Sequence, residues 1–123
     1  ARVSGRSDGT GLGPGRGRTG AAILAKKFVP RSEHLGQLAA VTSDDEARAI
    51  ASAAFARRAR AFVRVDASAV GNPALRVGTH VTLTGLPPRW NNTYYVVHAE
   101  HRFDLTAGYR THFTAECAFL GGA

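Results

Sequence analysis

Residues 109–119, YRTHFTAECAF, decide how the chain folds. Polar side chains alternate there with apolar or small ones, a period of two that predicts a β-strand with one packed and one solvated face. The packed series is Tyr109, Thr111, Phe113, Ala115, Cys117 and Phe119, and the solvated series is Arg110, His112, Thr114 and Glu116. We therefore predict Tyr109 and Phe113 as core anchors.

Three earlier stretches show the same alternation. Val63 and Val65 begin the first, residues 77–83 make the second, and residues 93–103 make the third. In the third stretch Tyr95, Val97 and Ala99 are predicted to face opposite Tyr94, His98 and Glu100. Long alternating strands joined by short turns indicate an antiparallel β-barrel.

Glycine and proline mark the turns between these stretches, at residues 71–73, 85–88 and 105–108. We predict that Gly78 allows a β-bulge at a barrel corner. Gly108 is predicted to supply a positive φ in the turn before the last strand.

A capping box, Ser43-Asp-Asp-Glu46, predicts a helix over residues 44–60. Its acidic first turn and its arginines in the last turn complement the helix dipole. An apolar stripe, mostly alanine, recurs at three- and four-residue spacing, so we expect this helix to lie close against the sheet. The predicted fold class is α+β, mostly β: an antiparallel β-barrel with one packed helix and a flexible Gly/Arg-rich N-terminal segment.

Residues 1–41 differ in composition from residues 42–120, which we expect to hold the helix and the barrel. Residues 9–20, GTGLGPGRGRTG, are expected to form a flexible loop. Gly15, Gly17 and Gly20 match a dinucleotide fingerprint, but no apolar strand precedes them, so we predict no nucleotide cofactor.

The basic residues are concentrated near the N-terminus. Residues 1–40 contain seven Lys or Arg and two acidic side chains, a net charge of +5 out of a formal total of +7. We interpret this segment as a solvated linker, and the alternative is a flexible arm that binds nucleic acid or another polyanion through counterion release. A small basic nucleic-acid-binding module is accordingly the second functional hypothesis.

No catalytic, cofactor or metal site is predicted. His98 and His101 would point to opposite faces of one strand, and His98 and His112 would share a face without a third ligand. Trp90 is expected to lie at the rim of the barrel and to plug its core, with sugar binding or base stacking as the alternative. Cys117 is expected to be a buried, inert side chain. No apolar run approaches the roughly 20 residues that span a bilayer, so we predict no membrane anchor.

Polar and aromatic residues predicted to face outward on the last two strands are candidates for a subunit interface, and an ordinary solvated face is the alternative. They are Tyr94, His98, Glu100, Arg110, His112 and Glu116.

The C-terminal part carries an ordered series of fragments. They are Gly71-Asn-Pro-Ala-Leu75, Val77-Gly78, Val81-Thr-Leu83-Thr-Gly85, Tyr94-Tyr-Val96, His101-Arg-Phe103-Asp104 and Gly108-Tyr109-Arg-Thr111-His-Phe113. This series, with the helix before it, resembles the late-control D and VgrG-like tail-hub proteins of phages and contractile injection systems. The resemblance covers about residues 42–120.

This resemblance implies a structural baseplate component and no enzyme. In the family a trimeric hub, with two related barrels in each subunit, joins the tail tube to the spike. The expected partners are therefore other hub subunits, the tail-tube protein and the spike protein, with assembly in the cytoplasm before incorporation into the tail or injection particle. On this resemblance the chain would hold only the later barrel, without the spike repeats that VgrG-like proteins carry downstream.

Overall fold

The computed structural model describes residues 11–29 and 41–121. The elements in these ranges are β1 (Gly17–Thr19), α1 (Gly20–Ala25), α2 (Asp44–Arg60), β2 (Val63–Val70), β3 (His80–Leu83), β4 (Asn92–Asp104), β5 (Gly108–Cys117) and β6 (Phe119–Gly121). The part of the chain that is described contains no helix both long and apolar enough to cross a membrane.

Helix α2 forms where the capping box predicts it. The Ser43 hydroxyl accepts a hydrogen bond from the Glu46 N–H at 3.2 Å. The Glu46 carboxylate accepts from the Thr42 N–H and hydroxyl, at 3.0 and 2.9 Å, and not from the Ser43 N–H that a capping box would use. These hydrogen bonds favour the charged carboxylate and lower the pKa of Glu46.

The predicted packing of α2 against the sheet was wrong for the described residues. No side chain of α2 is buried, and Ile50, in the middle of the apolar stripe, is 41% exposed. Alanine side chains offer little apolar area, so docking this stripe would gain little free energy. The C-terminal end does contact the N-terminal segment, since the Arg60 guanidinium donates to the Gly11 carbonyl at 3.2 Å.

The main sheet is antiparallel, has the strand order β2-β5-β4-β3, and curls into a half-barrel. Strand β5 lies at its centre, paired with β2 on one side and with β4 on the other. Within residues 11–29 and 41–121, β2 and β3 are the edges, and no strand pair joins them into a closed barrel. The mostly β, antiparallel character of the predicted fold is confirmed.

The core lies on one face of this sheet. Its buried members are Val63, Tyr94, Val96, Phe113, Ala115 and Cys117. Phe113 is thus confirmed as a core anchor and Cys117 as a buried side chain, with its thiol pKa raised by burial. Tyr109 is only half-buried and lies outside this cluster, at the end of the sheet where the core stops.

A β-bulge in β4 reverses the predicted alternation of its first half. The register with β5 shifts between Val96 and His98. Tyr94 and Val96 therefore point into the core, and after the bulge His98 and Glu100 point away from it. The prediction that Tyr94 faces outward with His98 was wrong: Tyr94 is 2% exposed.

Two glycines occupy positions that need a positive φ. Gly108, at the start of β5, has φ +71°, as predicted. Gly78 has φ +90° in the turn before β3, and its N–H donates to the Val96 carbonyl at 3.0 Å. The bulge predicted at Gly78 lies instead in the partner strand, at Val96 and His98.

Residues 11–20, expected to form a flexible loop, contribute to the sheet structure. Strand β1 pairs antiparallel with β6, with Arg18 opposite Leu120. Helix α1 follows directly, capped by the Thr19 hydroxyl, which accepts from the Ala22 N–H at 3.3 Å. The expected behaviour of residues 1–10 and 30–40 lies outside the described residues.

Candidate functional site

The face of the main sheet opposite the core is polar, and we call it the polar face. It is formed mainly by β2, β4 and β5, and Val70, opposite Arg110, and Tyr95, opposite Glu116, share it. Its polar side chains on these strands are Arg64, Asp66, Ser68, His98, Glu100, Arg102, Arg110, His112, Thr114 and Glu116. Five of the six residues predicted for an interface face lie on it: His98, Glu100, Arg110, His112 and Glu116.

Strand register arranges the centre of the polar face in two rows. In one row Ser68, His112 and Glu100 lie side by side, and in the next row Asp66, Thr114 and His98 do. These six side chains, with parts of Ala67 and Phe113, line an open groove of about 370 Å³. The polar face therefore concentrates hydroxyls, imidazoles and carboxylates in one shallow depression.

Hydrogen bonds hold the groove side chains in place. The Thr114 hydroxyl donates to the Asp66 carboxylate, and the Arg110 guanidinium donates to the Ser68 hydroxyl at 3.2 Å. Arg102 Nε donates to Glu100 Oε1 in an exposed ion pair. Exposed pairs of this kind add little stability, so their main effect is to orient the side chains.

The electrostatic environment favours a charged Glu100. The hydrogen bond from Arg102 and then its charge lower the pKa of the Glu100 carboxyl, and the positive forms of His112 and His98 add to the effect. The groove consequently presents a carboxylate flanked by imidazoles.

The two histidines of β4 fall on opposite faces of the sheet, as the strand geometry predicts. His98 lies on the polar face, whereas His101 lies on the opposite face, where its Nε2 donates to the Leu75 carbonyl at 3.0 Å. Within the described ranges, no three His, Cys, Asp or Glu side chains come together in an arrangement that would hold a metal ion.

His101 is the centre of a second polar group, here called the His101 cluster, which also contains Gly71, Asn72, Leu75, Tyr109 and Thr111. His101 Nδ1 lies within hydrogen-bond distance of the Tyr109 and Thr111 hydroxyl oxygens, at 2.9 and 3.0 Å. The Thr111 hydroxyl in turn accepts from the Asn72 N–H at 3.0 Å. With Nε2–H donating to the Leu75 carbonyl, each group in this cluster has a structural partner.

The His101 cluster requires glycine at position 71. The Gly71 N–H donates to the Tyr109 carbonyl at 2.9 Å, and the Tyr109 ring occupies the space that a Cβ on residue 71 would need. The Tyr109 ring also stacks on His101, with centroids 5.9 Å apart. Tyr109 therefore anchors this end of the sheet, although not the core as predicted.

Trp90 does not plug the core. Its side chain is 43% exposed, and its carbonyl accepts from the Tyr94 hydroxyl at 2.7 Å. That hydrogen bond satisfies the buried end of Tyr94, whose pKa is raised by burial. Stacking of a sugar or a base on Trp90 stays a prediction.

Sequence reasoning missed Asp66, Ser68 and Thr114 as groove residues, and Asn92 as a buried polar side chain. The missing information was the register of β2 against β5, which the alternation alone does not give. Asn92 follows another asparagine in a turn, and the residue type alone does not indicate that its side chain is buried. Its exposed fraction is 7%.

Comparisons with protein-family models, with curated proteins and with solved structures returned no match to this chain. The geometry of the polar face and of the His101 cluster, with the sequence fragments that build them, therefore carries the functional argument.

Proposed function

We propose that the chain is a structural module of a phage-tail or contractile-injection baseplate, of the hub type, which joins the tail tube to the spike. The observation that carries this proposal is a curled, half-barrel sheet whose edge strands, β2 and β3, have no outer partner among the described residues. An open edge presents unpaired backbone donors and acceptors, which a neighbouring chain can satisfy.

Exposed apolar side chains support an assembly role. Val70 is 78% exposed, Phe103 75% and Leu105 99%, and all three lie at the β4–β5 turn end of the sheet. Val70 and Phe103 lie on opposite faces of the sheet, so these residues offer apolar contacts to a neighbouring protein at the end of the incomplete barrel rather than one continuous patch.

The fragments that carry the family resemblance also support the proposal. Gly71 and Leu75 from the first fragment, His101 from the fifth, and Tyr109 and Thr111 from the sixth contact one another in the His101 cluster. Residues that are distant in sequence thus form one structural unit, as they would if the series were a fold signature.

The polar face is the proposed contact surface for other hub subunits, the tail-tube protein or the spike protein. Its groove offers fixed hydroxyls and carboxylates to a partner, and such groups give an interface its specificity and register. Cytoplasmic assembly followed by incorporation into the tail or injection particle belongs to the same proposal.

The test is purification of the tagged chain from its native host at elevated salt, with identification of the proteins that accompany it. Two charge reversals make a matched pair: Glu100→Arg on the polar face and Arg48→Glu on α2. We expect tube, sheath or spike components with the wild type and with Arg48→Glu, and their loss with Glu100→Arg.

Two results would contradict the proposal. Recovery of nucleic acid alone, lost as salt rises, would replace it with the basic nucleic-acid-binding module. Equal recovery of baseplate proteins with Glu100→Arg would keep the hub function but exclude the polar face as the contact surface.

A further inference from the structure

Strand β2 is the longer and more regular of the two edges of the main sheet in the described part of the chain. Its eight residues pair with β5 from Val63 to Val70 without a register shift. The strand contains no proline and no β-bulge, two devices by which proteins protect an exposed edge from pairing. Strand β3, at the other edge, has only four residues. An antiparallel partner would therefore find its longest template on β2.

The backbone groups on the outer side of β2 belong to its even-numbered residues. The Gly71 N–H donates to the Tyr109 carbonyl at 2.9 Å, and this pair continues the register of β2 with β5. Antiparallel pairs alternate between residues that exchange both hydrogen bonds and residues that exchange none. The odd-numbered residues of β2 consequently bond to β5, and the even-numbered ones point their N–H and C=O groups outward. The outward residues are Arg64, Asp66, Ser68 and Val70, whose backbone groups have no other hydrogen-bond partner among the described residues.

The two faces of β2 restrict how a second copy of the strand can pair with it. Its even-numbered residues lie on the polar face, and its odd-numbered residues pack towards the core. An antiparallel partner must place even residues opposite even ones, because only then do both faces and the outward donors and acceptors match. Registers with a two-fold axis at Arg64 or at Asp66 would place like charges directly opposite each other, which is destabilising.

One of the remaining registers gives the longest overlap. Its two-fold axis lies at Ala67, and it pairs residues 64–70 of one copy with residues 70–64 of the other. An axis at Val65 would pair only residues 63–67, and an axis at Ser68 would pair only residues 66–70. The register centred on Ala67 forms more backbone hydrogen bonds than either, so it is the most stable of the three.

The polar side chains at the centre of this register are chemically complementary. Ser68 lies opposite Asp66 of the second copy. The Ser68 hydroxyl accepts from the Arg110 guanidinium, and its own proton has no acceptor among the described residues. Asp66 accepts from the Thr114 hydroxyl through Oδ1, which leaves Oδ2 for the proton of Ser68. Each copy thus supplies a donor and an acceptor to the other.

We propose that the chain forms a two-fold symmetric dimer in which the β2 strands of two copies pair antiparallel about an axis at Ala67. On the core side Ala67 lies against Ala67, and Val65 against Ala69 of the second copy, so the apolar face of the sheet continues across the contact. A two-fold contact uses the same surface twice, and neither copy keeps an open β2 edge. This inference rests on strand geometry alone and does not depend on the hub function.

Sedimentation equilibrium of the purified full chain measures the dimer. We expect a monomer–dimer equilibrium. Ser68→Pro removes an outward N–H but no hydrogen bond to β5, so it should raise the dissociation constant of the dimer at least about tenfold. Ser68→Ala, the matched control, keeps the N–H and should weaken the dimer less. A monomer at every concentration, or equal dissociation constants for the wild type and Ser68→Pro, would overturn the proposal.

Disulfide formation tests the register. Ala67→Cys places two thiols across the axis in a non-hydrogen-bonded pair, where Cα atoms are about 4.5 Å apart and a disulfide can form. Ala69→Cys lies on the same face, but its two copies would be roughly 13 Å apart along the strands. Under mild oxidation we expect a covalent dimer of the first variant only, and none of the wild type, whose Cys117 is 3% exposed. Equal yields from both variants, or a covalent dimer of neither, would overturn pairing at Ala67.

Discussion

The four-stranded sheet and helix α2 have equally clear sequence signals, but the sheet contains the buried core and the helix has no buried residue. Strand β5 buries Thr111, Phe113, Thr114, Ala115 and Cys117 in ten residues, whereas the seventeen residues of α2 bury none. The sheet is stabilised by apolar burial and by register with its neighbours. Helix α2 is stabilised by its own cap, its terminal charges and its intrahelical hydrogen bonds.

A local sequence signal therefore predicts whether an element forms, and not how strongly that element is coupled to the rest of the structure. The apolar residues of α2 recur periodically but are mostly alanine. The apolar positions of β5, in contrast, include aromatic side chains. Substitutions in the sheet should consequently affect global unfolding, and substitutions in the helix should affect mainly the helix.

Phe113→Ala should destabilise the protein more than any other substitution considered below. Phe113 is 5% exposed at the centre of the core, and removal of its ring leaves a cavity, so we expect a loss of about 3–5 kcal/mol in the free energy of unfolding. Urea denaturation measures it. The control is Leu105→Ala, at a residue that is 99% exposed, which should change stability by less than about 0.5 kcal/mol. A similar loss in both variants would show that the core is not where the structure places it.

Gly71→Ala should destabilise the protein by about 1–3 kcal/mol, because a Cβ there would overlap the Tyr109 ring. The effect should shrink when Tyr109 is also replaced by alanine, since the methyl group then has space. A double-mutant cycle in urea measures this coupling. Additive losses would mean that Gly71 matters for backbone reasons and that the His101 cluster is not packed as described.

Ser43→Ala should lower the stability of α2 by about 1 kcal/mol, because the Ser43 hydroxyl accepts a hydrogen bond from the Glu46 N–H as the N-cap. We expect helical circular dichroism to be lost before the fluorescence of Trp90, the single tryptophan, reports sheet unfolding. Ser52→Ala, in the exposed middle of the same helix, is the control and should not lower helix stability. Coincident transitions of equal shift by both probes would show that α2 and the sheet unfold as one unit.

Much of the architecture is predictable from the sequence for physical reasons. Helix α2 is predicted by its N-terminal cap, and strands β2, β4 and β5 are predicted by their alternation of polar and apolar residues. Neither signal depends on residues that are distant in sequence. The positive φ of Gly108 follows from its place in a tight turn, and the burial of Phe113 follows from alternation alone.

The errors have one cause: they depend on contacts between distant parts of the chain. The bulge at Val96 and His98 moves Tyr94 into the core, and it becomes visible only when β4 is aligned with β5. The pairing of Asn92 with Arg16 spans 76 positions of sequence. The half-exposed position of Trp90 likewise reflects how far the core extends, which local pattern does not encode.

The turn between β4 and β5 should show a small dependence of its stability on pH. The Asp104 carboxylate accepts hydrogen bonds from the backbone N–H groups of Ala107 and Thr106, which lower its pKa below the ordinary aspartate value of 3.8. A group with a lowered pKa in the folded state stabilises the protein above its unfolded value, and this contribution is lost as the pH falls through the folded pKa.

We therefore expect the turn to weaken only below about pH 4, and a carboxyl carbon NMR titration of Asp104 should give a midpoint below 3.8. Asp104→Asn keeps an oxygen acceptor but removes the titrating group, so its stability should not show this step. A midpoint at or above 3.8 would mean that the carboxylate does not cap the turn. In that case the positive φ of Gly108 alone would direct β5 back along β4, and the exposed end of the sheet would be less ordered than its centre.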